Sequence, residues 1–218
     1  MFNCSPILHQ NMRSGSTADH WQEVYSSNSP DEVGWYQMEH EVTINLVKAS
    51  GIPLEGVIID IGSGASTLLD ELLKAGFSNI IAADICDEGM AHSRERLGDS
   101  VRWLVDDVTE PTKLLEIGTV DLWHDRAVLH FFTSQAEREG YVSTLKTILK
   151  VGGHAVIETF SEHGAPQCSG LDLQRYDEMM IRELLGDDFE MLETVRHVHL
   201  NPRGGERPYV STLLKRLS

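Results

Sequence analysis

Between positions 57 and 130 the chain sets out, strand by strand, residue types suited to gripping a small polar ligand and working on it. Val57-Ile58-Ile59-Asp60-Ile61-Gly62-Ser63-Gly64 is an apolar run long enough for one buried strand, ending in an acid and two glycines. The glycines let the backbone turn sharply and come close to a bound molecule before a helix begins. Asp84 stands 24 residues after Asp60, at the end of the next apolar run, where a carboxylate can accept hydrogen bonds from two neighbouring sugar hydroxyls. Asp106-Asp107 closes a third run. Trp123-His124-Asp125-Arg126-Ala127-Val128-Leu129-His130 then gathers two imidazoles, a carboxylate and a guanidinium. His124 or His130 is a candidate general base, with an ordinary pKa near 6.5, and Arg126 can hold an anionic group or brace Asp125.

Positioning these groups requires elements that alternate between two periods. Strands are predicted at Val57 to Ile61, Asn79 to Asp84, Val101 to Val105, Val120 to His124 and His154 to Thr159. Helical stretches fall between them at Ser66 to Ala75, Glu88 to Leu97, briefly near Lys113, and at Gln135 to Lys150. Ser29-Pro30-Asp31-Glu32 carries a cap, a first-turn proline and an acid three residues on, so a helix is predicted from there to about Ala49, stopped by Gly51-Ile52-Pro53. After Gly164 come a loop containing Cys168, a helix near Tyr176 to Leu185, and two strand-like runs, Glu190 to Leu200 and Arg207 to Lys215. Asn201-Pro202-Arg203-Gly204-Gly205 joins those runs as antiparallel neighbours. The series is α/β, with a mostly parallel sheet covered on both faces.

Composition narrows the partners. A formal charge of −16 repels phosphate backbones and anionic membrane surfaces, and the 18 Lys and Arg form no basic stripe, so neither nucleic acid nor membrane is expected as a partner. Cys4, Cys86 and Cys168 are far apart and suit a reducing cytoplasm. Met1 to Gln10 has no basic stretch leading into an apolar core, and no run approaches the roughly 20 apolar residues of a membrane span. His197 and His199 alternate on a predicted strand without a third ligand at suitable spacing, so no metal site is expected.

The glycine corner lacks the third glycine of a dinucleotide fingerprint, which is Thr67 here, and the residue two before the first glycine is the acid Asp60. Asp60-x-Gly62-x-Gly64-x-Ser66 instead resembles motif I of the class I S-adenosylmethionine-dependent methyltransferases, with Ser66 departing from the third glycine. Val120 to Asp125 is similar to that family's fourth strand, Leu149-Lys150-Val151-Gly152-Gly153 to the turn into its fifth, and the last two runs to its terminal hairpin, so the resemblance covers about Val57 to Leu217. It implies a three-layer α/β/α sandwich with a seven-stranded sheet, six strands parallel and one antiparallel. It also implies a single methyltransferase domain over 1–218, with a helical lid at 1–50 and a Rossmann-like core at 51–218. The cofactor would be S-adenosylmethionine, held by Asp60, Gly62, Ser63, Gly64 and Ile85, by Asp84 at the ribose, by Asp107 and Val108 at the adenine, and by Asp125 beside the methyl.

Catalysis in this resemblance is largely placement of a nucleophile behind an activated methyl group, with His124, Asp125, Arg126 and His130 at the substrate edge. Trp21, Tyr25, Trp35 and Tyr36 offer aromatic faces to a sulfonium, or anchor the first helix to the core. Three acceptors are expected, in order. The first is a small-molecule thiol, which needs little activation, with the Glu162 to Arg175 segment closing over it. The second is a protein lysine, since Trp21 to Tyr36 and Asp125-Arg126 resemble a group of small protein-lysine methyltransferases and the acidic surface attracts basic segments. The third is a small carboxylate, as in the aconitate methyltransferases, clamped by Arg126 or Arg175. A catalytically silent cofactor-binding subunit is the reading from a different class.

Overall fold

The structure, a computed structural model, describes residues 17–218; Met1 to Gln10 and Cys4 lie outside the described residues. Two helices, α1 (Thr17–Ser27) and α2 (Glu41–Ala49), lead into β1 (Val57–Ile61). The chain then alternates through α3 (Leu68–Lys74), β2 (Asn79–Asp84), α4 (Asp87–Leu97), β3 (Arg102–Val105), β4 (Val120–Arg126), α5 (Gln135–Ile148) and β5 (Leu149–Phe160). A small hairpin, β6 (Gln167–Cys168) and β7 (Leu171–Asp172), precedes α6 (Glu178–Leu185) and the long pair β8 (Phe189–Leu200) and β9 (Glu206–Arg216).

The main sheet has the order β3-β2-β1-β4-β5-β9-β8. Strands β1 to β5 pair in parallel, whereas β9 runs antiparallel to both β5 and β8, so six strands share a direction and one opposes it. The order reverses between β1 and β4, which opens a crevice at the carboxyl ends of the strands.

Period-two alternation assigns every strand residue to one of two apolar layers. Ile58, Ile80, Leu122, Val156 and Leu213 pack with Leu46 and Val47 of α2 and Leu68, Leu69 and Leu72 of α3. Ile59, Ile81, Trp123, Ala155 and Ile157 pack with Tyr141 and Leu145 of α5 and Ile181 and Leu185 of α6. Near the carboxyl edge of the first layer the apolar residues give way to Asp60, His124, Arg126, Glu158 and Ser211. They share that face because β4 is registered on its neighbours as Asp60 with His124 and Arg126 with Glu158, and Glu158 faces Ser211 of β9.

Three predicted elements differ. The helix expected from Ser29 begins only at Glu41. The Ser29 backbone N–H and hydroxyl both donate to the Glu32 carboxylate, but the hydroxyl accepts no backbone N–H as a cap would, and only turns follow, since the chain must carry Trp35 and Tyr36 into the crevice. Strand β4 continues two residues past His124, to Arg126. Strand β5 starts at Leu149, with Gly152 taking φ +82° inside it, rather than following a glycine turn.

Candidate active site

Gly62 sits at φ +65°, and a Cβ there would fall 2.1 Å from Cγ2 of Val128, so the turn after β1 accepts only glycine. Beyond it a cavity of about 1120 Å³, its open mouth included, runs along the carboxyl edge of the sheet. The strand order divides its lining. Asp107, Val108, Asp84 and Ile85 belong to the β3 and β2 side, Ile61 and Gly62 stand in the middle, and Arg126, Ala127, His130, Phe160 and Tyr209 belong to the β4, β5 and β9 side. Trp21 and Tyr25 of α1, Trp35, Phe131, Cys168 and Leu171 complete the walls. Trp21 meets Phe131 edge-on at 4.9 Å and Trp35 at 5.6 Å. Ser169 and Gly170, both at positive φ, make the tight turn that brings Cys168 and Leu171 to the cavity.

On the β2 side the Asp84 carboxylate accepts from the Gly64 N–H at 3.0 Å and the Cys86 N–H at 3.1 Å, and burial pushes its pKa up to about 6 despite those bonds. Asp107 accepts from the N–H and hydroxyl of Thr109 through Oδ1 alone. Asp106 instead receives the N–H groups of Thr112 and Leu114 and holds that loop.

A second cavity of about 480 Å³, mouth included, is lined by Asp60, Gly62, Ser63, His124, Arg126, Trp35 and His40. Asp60, 2% exposed, meets Nδ1 of His124 at 2.6 Å through Oδ1 and leaves Oδ2 buried without a partner. The other ring nitrogen of His124 faces Glu158 Oε1 at 3.3 Å. Burial alone would lower the His124 pKa, but the two carboxylates outweigh it and raise it to about 9. Glu158, 1% exposed, also receives the hydroxyls of Thr43 and Ser211 and faces His197 at 3.6 Å. Burial would raise its pKa, but hydrogen bonds from His124 and His197 and the charges of His124 and Arg126 hold it well below the carboxylate range.

That charge pattern fixes a pH response. His124 is more basic folded than unfolded, so its contribution is complete below about pH 6.5 and is lost as pH rises through about 9. A rise from 6.5 to about 9 corresponds to roughly 3 kcal/mol. Urea unfolding from pH 7 to pH 9.5 should show stability falling by up to that amount, and a His124→Asn variant should lose the dependence; equal slopes in both proteins would refute the assignment.

The candidate residues therefore separate. Asp84, Ile85, Asp107, Val108 and His130 line the large cavity, Asp60, Ser63 and His124 the small one, and Gly62 and Arg126 both. Gly64 lies under Tyr25, whose hydroxyl would be 2.4 Å from a Cβ at that position. Asp125, expected beside the cofactor methyl, lines neither cavity. Alternation puts it on the opposite face from His124, where its carboxylate accepts from the N–H groups of Val128 and Leu129 and from the Tyr141 hydroxyl. The two histidines also depart from the general-base expectation. His124 has both nitrogens engaged by carboxylates. His130 accepts the Phe160 N–H at Nδ1, so its proton sits on Nε2 and it can only donate; burial, then Arg126, push its pKa down to about 3. Arg175 donates to the carbonyls of Glu162 and Gly164 and stays out of the cavities. Glu158, Tyr209 and Phe160 were missed, although a lone acid inside Ala155-Val156-Ile157-Glu158-Thr159-Phe160 is itself a signal.

These residues fit an adenosyl sulfonium amino acid. The orphaned Asp60 Oδ2 suits its ammonium, Asp84 and Asp107 offer acceptor oxygens to hydroxyls and an amino group, and the glycine corner keeps the crevice open.

Residues 59–157 match the family model described as a methyltransferase domain. The chain is 28% identical over 160 residues to the EEF1A lysine methyltransferase 2 of Mus musculus, a match covering 65% of this chain and 64% of the mouse protein, just under two thirds of its length. A methyltransferase structure from Anabaena variabilis shares the fold at a TM-score of 0.74 with 17% identity, covering 93% of this chain and 96% of that one. The N-methyltransferase NodS from Bradyrhizobium japonicum, in complex with S-adenosyl-L-homocysteine, does so at 0.70 with 13% identity, covering 94% and 100%. Over residues 59–157 the chain carries a methyltransferase domain, and its fold is that of the S-adenosylmethionine-dependent methyltransferase structures it resembles.

Proposed function

We propose that the chain transfers a methyl group to a small-molecule acceptor whose nucleophile ionises near neutral pH, a thiol first of all. When bound, S-adenosylmethionine supplies a methyl whose bond to the sulfonium breaks with the electron pair left on sulfur, while the acceptor's ionised atom forms the new bond. Asp84, Ile85, Asp107 and Val108 would hold the adenosine, and Asp60 the amino group. Trp21, Trp35, Phe131 and Phe160 wall the far side and keep water out.

The observation that carries the acceptor reading is the engagement of both histidines. His130 Nδ1 is taken by the Phe160 N–H and His124 is held between Asp60 and Glu158. The β4 side thus offers no imidazole lone pair to remove a proton. A thiol, ordinarily near pKa 8.5, releases its proton to solvent at modest cost, whereas a lysine ammonium near 10.4 requires a base.

A protein lysine is the second reading. It is favoured by the similarity to the mouse EEF1A lysine methyltransferase 2 and by the net charge of −16, which attracts basic segments. Incubation with methyl-labelled cofactor, a panel of low-molecular-weight thiols and carboxylates, and basic proteins separates the two. Label in a small acceptor is expected; label confined to a basic protein would establish the lysine reading instead.

A further inference from the structure

Three side chains on the β4, β5 and β9 side carry buried donor atoms with no partner among the described residues. Nε and Nη2 of Arg126 are shielded from solvent and without a partner; its one hydrogen bond runs from Nη1 to the Trp35 carbonyl at 3.0 Å. Among the described residues Arg126 makes no ion pair. Nε2 of His130, a residue 0% exposed, is unpartnered, and so is the hydroxyl of Tyr209, 1% exposed. All three residues line the large cavity. Their geometry is built. The Arg126 guanidinium lies over the Tyr209 ring at 4.9 Å, Tyr209 meets Phe160 edge-on at 4.9 Å, and Phe160 lies 4.7 Å from His130 and fixes its tautomer. Burying unpaired donors, one of them charged, is costly unless a ligand supplies the acceptor.

We infer that Arg126, His130 and Tyr209 form a carboxylate clamp for the methyl acceptor, which is therefore an anion. The inference rests on the reading that this end of the cavity receives the acceptor. A guanidinium edge presents two parallel N–H groups that match the two oxygens of a carboxylate, and the imidazole N–H and phenol can serve its remaining lone pairs. The same positive charge disfavours an ammonium in this space. The carboxylate can be the nucleophile itself or an anchor beside a thiol, and the choice of probes tells these apart.

The test compares 3-mercaptopropionate, its neutral amide 3-mercaptopropionamide, and propionate. The wild-type protein loaded with S-adenosylhomocysteine should bind 3-mercaptopropionate and propionate in calorimetry, and binding should weaken about tenfold to a hundredfold in Arg126→Gln. Arg126→Lys, which keeps the charge and loses the fork, should fall between. Affinity for S-adenosylhomocysteine alone, measured on the same folded variants, should change far less. In turnover, methyl on 3-mercaptopropionate only assigns the carboxylate as an anchor, and methyl on propionate assigns it as the nucleophile. Equal methylation of the acid and its amide would overturn the clamp while leaving thiol methylation standing. Absence of propionate and 3-mercaptopropionate binding would overturn it even if no small acceptor were methylated. Loss of cofactor affinity in step with acceptor affinity would also overturn it, because the guanidinium would then serve the cofactor's own carboxylate.

Discussion

Glu158→Ala is expected to lower the unfolding free energy by about 3–5 kcal/mol, the range for breaking a buried ion pair by removing one partner. Three groups lose a hydrogen-bond acceptor at once. Thr43, Ser211 and His124 hydrogen-bond to this carboxylate and His197 faces it, and the side chain is 1% exposed. The cationic His124 would be left with Asp60 alone, at full desolvation cost. A domain is typically stable by only about 5–15 kcal/mol, so the loss takes a large share. Urea unfolding at pH 7 measures it. Glu158→Gln should be milder, since the amide oxygen still accepts from a hydroxyl, and a loss below about 1 kcal/mol in the alanine variant would show that the network carries little energy.

Asp84→Ala is expected to abolish cofactor binding in practice. A charged acceptor bonded to two hydroxyls contributes roughly 1.5–3 kcal/mol per bond, hence a weakening of about a hundredfold to ten-thousandfold. Stability should move in the other direction or hardly at all. Burial holds the Asp84 carboxyl up at about 6, so its charge at pH 7 is a strain in the free protein. The variant should therefore melt at or near the wild-type temperature while failing to bind. A variant that unfolds early would mark Asp84 chiefly as the acceptor that anchors the Gly64 and Cys86 amides.

The strands that carry the site were legible because each is a short apolar run ending in a polar residue: β1 and β2 fall on the predicted bounds, and the order of the sheet follows from the resemblance. The errors have local causes. Ending β4 at His124 made Asp125 look like a strand-tip ligand; with the strand extended to Arg126, alternation alone sends Asp125 to the Tyr141 face and Arg126 to the crevice. Ser29 and Glu32 do hydrogen-bond to each other, but Gly34-Trp35 has a different use for the chain than helix. What residue types could not convey was the direction of each proton. That His130 donates rather than accepts depends on one backbone amide 30 residues away, and that His124 is a held cation depends on Glu158, brought alongside by β5.

The crevice at the β1, β2 and β3 tips is expected to bind an adenosyl cofactor. Calorimetric titration of the purified chain with S-adenosylhomocysteine measures this. One molecule should bind per chain, saturably, and the affinity should fall by about a hundredfold or more in Asp84→Ala with the melting temperature retained. No saturable binding by the folded wild-type chain, or equal affinity in the variant, would contradict it.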